Sequence, residues 1–336
     1  MTTSDRTQSV PASSEAGTAL PPAVGYGRYA LRQIGYRLGQ LIILLLGITA
    51  LLFFLLRLTG DPALVLVGDL ASDEAIERVR EFYGLDKPLI VQYLLFLGQA
   101  AQLNFGTSLQ SFRPALDVVL EHLPATLLLA AAAVTINIVV ALVVGTWLGY
   151  RPDRPERRAG LLAVIVSQGI PGFVVGLILI QLFAVTWGLL PSIGIDGPKS
   201  LILPALTLAS FLLPRVIRLT ATNVDQAMRQ DYVRTARASG ARPRSVLGRH
   251  ALPNAVIGTV ALIGVQFGFL LSGSLITETL FAWPGIGLLL IEAVRALDYP
   301  IVQASVFVIA LLVFVVNTAT DLLFPLLDPR LRSQRA

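Results

Sequence analysis

The chain has 336 residues, of which 54% are hydrophobic and only 14% are charged. Because roughly a quarter of the residues in a soluble domain are usually charged, this composition excludes an ordinary water-soluble globule. The sequence contains no cysteine and only two histidines, His122 and His250. These counts exclude disulfides, thiolate metal sites, a cysteine nucleophile and an HExxH-type metal helix.

The hydrophobic residues are concentrated in stretches without formal charge. About 20 apolar residues cross the roughly 30 Å hydrocarbon core of a bilayer. Five stretches meet this requirement, namely residues 38–56, 122–150, 159–195, 251–277 and 299–320. A sixth begins near Ser200, contains Pro204 and Pro214, which would kink a helix, and ends among Arg215 and Arg218, which can snorkel to the interface. We therefore predict an all-α integral membrane protein with six transmembrane helices.

Basic residues are more frequent on one side of the predicted membrane, and acidic residues are more frequent on the other. With both termini in the cytoplasm, the inner segments carry 19 Lys+Arg and 8 Asp+Glu, whereas the outer segments carry 7 and 13. Positive charge accumulates on the cytoplasmic side of membrane proteins. The distribution therefore predicts cytoplasmic N- and C-termini, and it explains the basic excess without nucleic-acid binding.

The inner segment 223–254 contains a predicted short helix between two spans. Residues 232–239 have helix-forming composition, Gly240 is a typical helix stop, and Pro243 prevents immediate resumption. The residues alone leave four interpretations open. They are a solvated stop-transfer loop, an interfacial helix held by anionic lipid, a continuation of the fourth span, and a docking site for a cytoplasmic partner.

The same segment, DYVRTARASGA followed by HALPNA, resembles the cytoplasmic EAA-type loop of ABC-transporter permeases. Arg234, Thr235 and Ala236 stand at the Glu-Ala-Ala positions. Further blocks follow the order of the B-type permeases of the oligopeptide, dipeptide and nickel importers, over residues 28–329. They are GDP, GLDKP, NFGTS, PATLLLA, SQGIPGF, PGIG and DYP. The chain departs from the family at Ser239 and Pro253, where basic residues are frequent.

The resemblance implies a type-1 ABC importer permease fold and one half of a translocation channel in the cell membrane. It implies as partners a second homologous permease, two cytoplasmic ATPases that bind ATP and Mg²⁺, and an extracytoplasmic solute-binding protein. The chain itself is not expected to hydrolyse ATP. A phosphate-binding GxxxxGK[ST] loop needs a Gly-Lys pair, whereas Lys87 follows Asp86 and Lys199 follows Pro198.

The predicted organisation follows from the spans and the resemblance together. It comprises a disordered cytoplasmic tail over residues 1–27, a first transmembrane anchor over 28–58, an extracytoplasmic loop subdomain over 59–121, a permease core with five transmembrane helices over 122–326, and a cytoplasmic tail over 327–336. The extracytoplasmic loop either caps the outer mouth of the helical bundle or contacts the solute directly.

Three sets of candidate functional residues result. By the resemblance, the residues that couple the chain to the ATPases are Tyr232, Val233, Arg234, Thr235, Ala236, Arg237, Gly240, Leu252 and Pro253. Polar residues within the spans either line the pathway or make helix–helix hydrogen bonds, and they are Asn137, Gln168, Gln266, Ser272, Ser274 and Asn317. Possible outer-gate residues are Glu278, Pro284, Gly285 and Gly287.

The outer-gate residues have structural alternatives. Glu278 either acts at the gate or makes a structural hydrogen bond. The PGIG segment either forms a turn near the gate or follows an interface anchor, Trp283. Asp298, just before Pro300, is typical of a helix start.

The expected function is import of di- or oligopeptides or a related small solute, driven by ATP hydrolysed in partner subunits. Two other classes stay open. A gradient-driven secondary transporter would act without companions, and it commonly carries acidic residues inside its spans, which are scarce here. A membrane scaffold would carry no solute.

Overall fold

A computed structural model describes residues 26–59, 72–83, 86–150 and 154–327. Residues 1–25 and 328–336 of the predicted tails, and the GDP block at residues 60–62, lie outside this part of the chain. Among these residues, 26–40 belong to one compact unit, and those from Leu41 onward belong to a second. The described residues are helical apart from turns and one isolated antiparallel bridge between Thr107 and Pro114. This confirms the all-α class.

The helices of the described residues are numbered here in chain order. They are α1 (Tyr26–Thr59), α2 (Asp73–Tyr83), α3 (Leu89–Ala100), α4 (Ala115–Tyr150), α5 (Pro155–Ser167), α6 (Gly172–Thr186), α7 (Pro198–Ser210), α8 (Leu213–Met228), α9 (Asp231–Ala238), α10 (Pro243–Val265), α11 (Phe267–Phe281), α12 (Ile286–Arg295) and α13 (Tyr299–Leu327). Three of them, α4, α6 and α10, contain π-helical turns, at Ala141–Gly145, Ile180–Thr186 and Val246–Ala251.

Four helices of the described chain, α1, α4, α10 and α13, contain segments long and apolar enough to cross a membrane individually. Three pairs meet the same criterion together but bend sharply, by 99° between α5 and α6, 62° between α7 and α8, and 72° between α11 and α12. The number of candidate spans is therefore four to seven, and the predicted six falls within this range.

Two of the predicted stretches are not continuous helices. The stretch 159–195 breaks between Ser167 and Gly172, where Pro171 cannot donate a backbone hydrogen bond and restricts the residue before it. The stretch 251–277 is interrupted at Gln266, whose ψ of 5° lies outside the helical range. Hydrophobicity alone does not reveal such breaks, because the residues on both sides remain apolar.

Of the two kinks expected in the sixth stretch, the structure shows the one at Pro214 and not the one at Pro204. Helix α7 continues through Pro204, and the chain bends between Ser210 and Leu213, directly before Pro214 in the first turn of α8. The missing N–H of a proline is tolerated at this position of a helix.

The largest apolar core lies where α4, α7 and α8 meet. Leu129 and Leu148 of α4, Leu208 of α7 and Val216 of α8 are at most 1% exposed there. A second cluster joins Phe105 and the start of α4 to α12 and α13. The described end of the loop predicted to be extracytoplasmic is therefore packed against the helical bundle.

The carboxylate of Asp298 holds this loop against the start of α13. Asp298 is only 2% exposed. Its Oδ2 accepts hydrogen bonds from the Ser108 hydroxyl at 2.6 Å and the Leu109 N–H at 3.0 Å, and its Oδ1 accepts one from the Ile301 N–H at 3.4 Å. The last contact places Asp298 at the N-terminus of α13, as its position before Pro300 predicts.

We expect Asp298→Ala to lower the free energy of unfolding by roughly 1 to 3 kcal/mol, because the Ser108 hydroxyl and the Leu109 N–H would lose a buried charged acceptor. Thermal unfolding of the purified protein in detergent measures the change. Asp196, an exposed carboxylate, provides the matched control Asp196→Ala. Equal melting temperatures for the two variants would show that the buried carboxylate does not stabilise the loop.

Candidate functional site

The predicted short inner helix is α9, and its end depends on Gly240. The N–H of Gly240 donates to the Arg237 carbonyl at 3.0 Å, and the N–H of Ala241 donates to the Ala236 carbonyl at 3.1 Å. This pair of bonds is a Schellman motif, which requires a left-handed residue after the helix. Gly240 supplies it with φ of +79°. Helix α9 therefore has a fixed end that does not fray into the following loop.

One face of α9 is packed into a small apolar cluster, the inner cluster. Val233 is fully buried, and Ala236 is partly buried against the same cluster. The cluster also contains residues of α8 and α10, namely Val224, Ala227, Met228, Val246, Ala251 and Ala255. Because α9 packs on two long helices at once, a displacement of α9 acts on both.

The other face of α9 is exposed and basic. Tyr232, Arg234, Thr235 and Arg237 are all exposed. Arg234 makes only a local, solvent-exposed ion pair with Asp231 at 3.3 Å, which contributes little to stability. The exposed face is therefore open to a partner while the buried face stays packed.

The nine candidate coupling residues thus divide between two environments. Val233, Ala236 and Leu252 belong to the inner cluster or pack on it. The other six, which are exposed, are Tyr232, Arg234, Thr235, Arg237, Gly240 and Pro253. The sequence interpretation did not include Met228 and Val246, which the periodicity of α8 and α10 places among ordinary apolar positions.

The possible outer-gate residues gather around the buried carboxylate of Glu278 at the end of α11. Its Oε1 accepts a hydrogen bond from the Thr126 hydroxyl at 2.9 Å, and its Oε2 accepts the N–H groups of Gly287 at 2.6 Å and Leu288 at 3.2 Å. The Thr126 oxygen accepts the N–H of Ile286 at 2.8 Å. We refer to Glu278, Thr126 and these three N–H groups as the Glu278 network.

The Glu278 network satisfies the N-terminus of α12. The first N–H groups of a helix have no partner within it, and a carboxylate there also interacts favourably with the helix dipole. Glu278, which is 0% exposed, therefore makes structural hydrogen bonds, as one of its two sequence-based interpretations expects.

Three residues near Glu278, namely Trp283, Pro284 and Gly285, lie in the segment between α11 and α12. Pro284 and Gly285 form the predicted turn, between α11 and α12. Trp283 is only 2% exposed and donates its indole N–H to the Ala125 carbonyl at 2.9 Å. The interpretation of Trp283 as an interface anchor is therefore wrong, because its ring is inside the protein.

The candidate pathway residues do not form one surface. Asn137 and Ser274 are buried, and each donates to a carbonyl of its own helix, at 2.9 Å for Ala133 and 2.8 Å for Leu271. Gln168 lies exposed at the break between α5 and α6. The others are partly buried or exposed on α11 and α13 and at the break before α11, and they are Gln266, Ser272 and Asn317.

The comparisons with known proteins agree with this architecture. The family model described as "Binding-protein-dependent transport system inner membrane component" matches residues 141–333, and the model for the N-terminal part of such components matches residues 30–130. The chain belongs to this family. It is therefore a permease subunit of an ABC importer and a component of the inner membrane.

Two curated relatives are glutathione transport system permease proteins GsiC. The protein of Pectobacterium atrosepticum is 37% identical over 88% of this chain and 96% of its own length. The protein of Escherichia coli K12 is 37% identical over 88% of this chain and 97% of its own length. Such coverage extends the relationship across nearly the whole permease.

Two solved structures of the MetNI methionine ABC transporter, in inward-facing conformations, share the fold. They align with TM-scores of 0.51 and 0.53 and identities of 18% and 19%, each covering 63% of this chain and 96% of the other. This likeness confirms the type-1 importer permease fold.

We expect Gly287→Ala to disturb the Glu278 network, because the added Cβ would lie 2.8 Å from the Glu278 Oε2 and 2.7 Å from the Leu275 Cα. The free energy of unfolding should fall by roughly 1 to 3 kcal/mol, as is usual for overpacking. Gly248→Ala is the control, because its Cβ would have no atom within 4 Å. Thermal unfolding in detergent compares them, and an unchanged Gly287→Ala would contradict the tight packing at Glu278.

Proposed function

We propose that α9 is the helix through which this permease is driven by cytoplasmic ATPases. The observation that supports the proposal is the division of α9 into a basic exposed face and a face packed between α8 and α10. A partner that moves α9 would move two membrane helices with it. A flexible loop in the same place would absorb the displacement instead.

The proposed assembly contains this chain, a second homologous permease, two ATPase subunits and an extracytoplasmic solute-binding protein. ATP and Mg²⁺ would be bound by the ATPases, since the chain has no GxxxxGK[ST] loop. ATP binding would act by favouring one of two arrangements of the permease, so that an inward–outward equilibrium shifts. Both termini and α9 lie on the cytoplasmic side in this proposal, as the excess of arginine in those segments favours.

The proposed solute is glutathione or another small peptide. The support is the identity of 37% with permeases named for glutathione transport. In this assembly the binding protein performs most of the selection, and the permease provides the path.

We expect Gly240→Val to uncouple transport from ATP hydrolysis. A left-handed backbone costs a residue with a Cβ roughly 1 to 2 kcal/mol, so the end of α9 would change its conformation. Uptake by the reconstituted assembly should fall by about tenfold, which corresponds to about 1.4 kcal/mol, while ATP hydrolysis and membrane insertion persist. The two rates are measured in the same vesicles.

The matched control for this experiment is Gly248→Val. Gly248 is also exposed on the inner segment, has no atom within 4 Å of an added Cβ, and has no positive φ. It should transport at nearly the normal rate. Normal uptake by Gly240→Val would count against the proposed role of α9.

The natural absence of cysteine allows a direct test of topology and energy source. A single cysteine in place of Thr235 should react with an impermeant thiol reagent only from the cytoplasmic side, and one in place of Asp196 only from outside. The complete assembly should accumulate S-methylglutathione in vesicles with ATP, whereas this chain alone should not. Accumulation by the chain alone would establish a secondary transporter, and no accumulation by the assembly would reject the proposed solute.

A further inference from the structure

Helix α8 has a polar exposed face along its whole length. Arg215, Arg218, Thr222, Gln226 and Arg229 are exposed and recur at intervals of three or four residues, which places them on one side of the helix. We refer to these five residues as the α8 stripe. The opposite side of α8 is buried against α4 and α10, and its Thr220 shares a hydrogen bond with Thr259 of α10 at 2.9 Å.

The α8 stripe is too long to lie at one membrane interface while α8 crosses the bilayer. Arg229 follows Arg215 by fourteen positions, or about 21 Å at 1.5 Å per residue. Arginine is strongly disfavoured inside the hydrocarbon. Arg215 and Arg218 lie in the half of the stripe farther from α9, so this half is unsuited to face lipid. Charged residues within membrane spans usually face the bundle interior or a water-filled cavity.

Arg215 is the cation of the stripe farthest from α9, and its own helix does not stabilise its charge. It lies in the first turn of α8, which contains no acidic residue. The N-terminal end of a helix disfavours a cation. Within the described residues, Arg229 pairs with Asp225 at 3.0 Å, whereas Arg215 and Arg218 have no carboxylate partner.

The guanidinium of Arg215 is instead held against an aromatic ring of another helix. Its Cζ lies 5.5 Å from the ring centroid of Phe269 in the first turn of α11. Phe269 and Ser272, one turn further along α11, are both exposed. The electrostatic attraction between a cation and a ring favours this position of the guanidinium, and the exposed Arg215 side chain has five N–H donors for an anion.

We propose that Arg215, oriented by Phe269, binds a carboxylate of the solute during its passage through the permease, and that Arg218 is the next cation toward the cytoplasmic end. This proposal rests on the proposed function and deepens it by assigning an anionic or zwitterionic solute. A guanidinium recognises a carboxylate through two parallel hydrogen bonds. Because Arg215 is exposed and is a single charge, the site releases the solute as readily as a pathway requires.

The test replaces the charge and then restores it. We expect Arg215→Cys, in the complete assembly with cysteine-free companions, to reduce uptake of S-methylglutathione by about tenfold or more, since a charge-assisted hydrogen bond is lost. Treatment with cationic aminoethyl methanethiosulfonate should return most of the uptake, and anionic sulfonatoethyl methanethiosulfonate should not. The solute has no free thiol, so it leaves the attached groups in place. Arg215→Lys should retain most of the uptake.

The matched control is Arg158→Cys, an exposed arginine on α5 that lies outside the α8 stripe. It should transport normally with and without either reagent. Normal uptake by Arg215→Cys, equal recovery with both reagents, or no reaction with either reagent would overturn the proposal. These results would show, respectively, that the charge is dispensable, that only volume matters, or that the position is not in a watery path.

Two further measurements separate the solute from other anions. Assembly of Arg215→Cys with the second permease should be unchanged, and lost assembly would instead assign Arg215 to an acidic residue of that subunit. The defect should persist in vesicles without anionic lipid, and its disappearance there would assign Arg215 to a lipid headgroup. Uptake by the unmodified assembly is measured first, so that failure of the proposed function is recognised separately from failure at Arg215.

Discussion

The fold depends on satisfying the backbone at helix ends that lie within or beside the membrane. Unpaired N–H and C=O groups in hydrocarbon cost several kcal/mol each, so a broken helix persists there only where its ends find partners. Glu278 and Thr126 accept hydrogen bonds from the first N–H groups of α12. Asp298 accepts hydrogen bonds from the N–H of Leu109 and from the N–H of Ile301 near the start of α13. A buried carboxylate therefore accompanies both the bend between α11 and α12 and the start of α13.

Much of the architecture was predictable from the sequence, because hydrophobic stretches and helix stops are local signals. The apolar stretches identified the membrane helices, and a glycine in a charged segment correctly marked the end of α9. The break at Gln266 was not predictable, since Val265 and Phe267 on either side are both apolar. Neither was the Glu278 network, which joins residues 152 positions apart along the chain.

The α8 stripe follows a signal that is visible in the sequence. Arg215 and Arg218 were interpreted as the end of a hydrophobic stretch, where arginine ordinarily marks the membrane interface. The structure instead begins α8 at Leu213, so that Arg215 stands at the far end of a helix whose exposed positions continue as Thr222, Gln226 and Arg229. The spacing of three or four residues could have revealed one polar face of α8. It could not show that the rest of the chain leaves this face uncovered.

The inner cluster and the Glu278 network are held together by different kinds of interaction. The inner cluster is held mainly by apolar contacts, which are non-directional, and single hydrogen bonds such as Thr220 to Thr259 join α8 to α10 beside it. The Glu278 network is held by hydrogen bonds to a buried charge, each worth roughly 1.5 to 3 kcal/mol. Separating Thr126 from α11 and α12 would leave the Glu278 Oε1 and the Ile286 N–H without these partners in an apolar interior. The Glu278 network therefore ties α4, α11 and α12 to one another, whereas, within the described chain, no side chain caps the helix starts after the break between α5 and α6 and after Gln266.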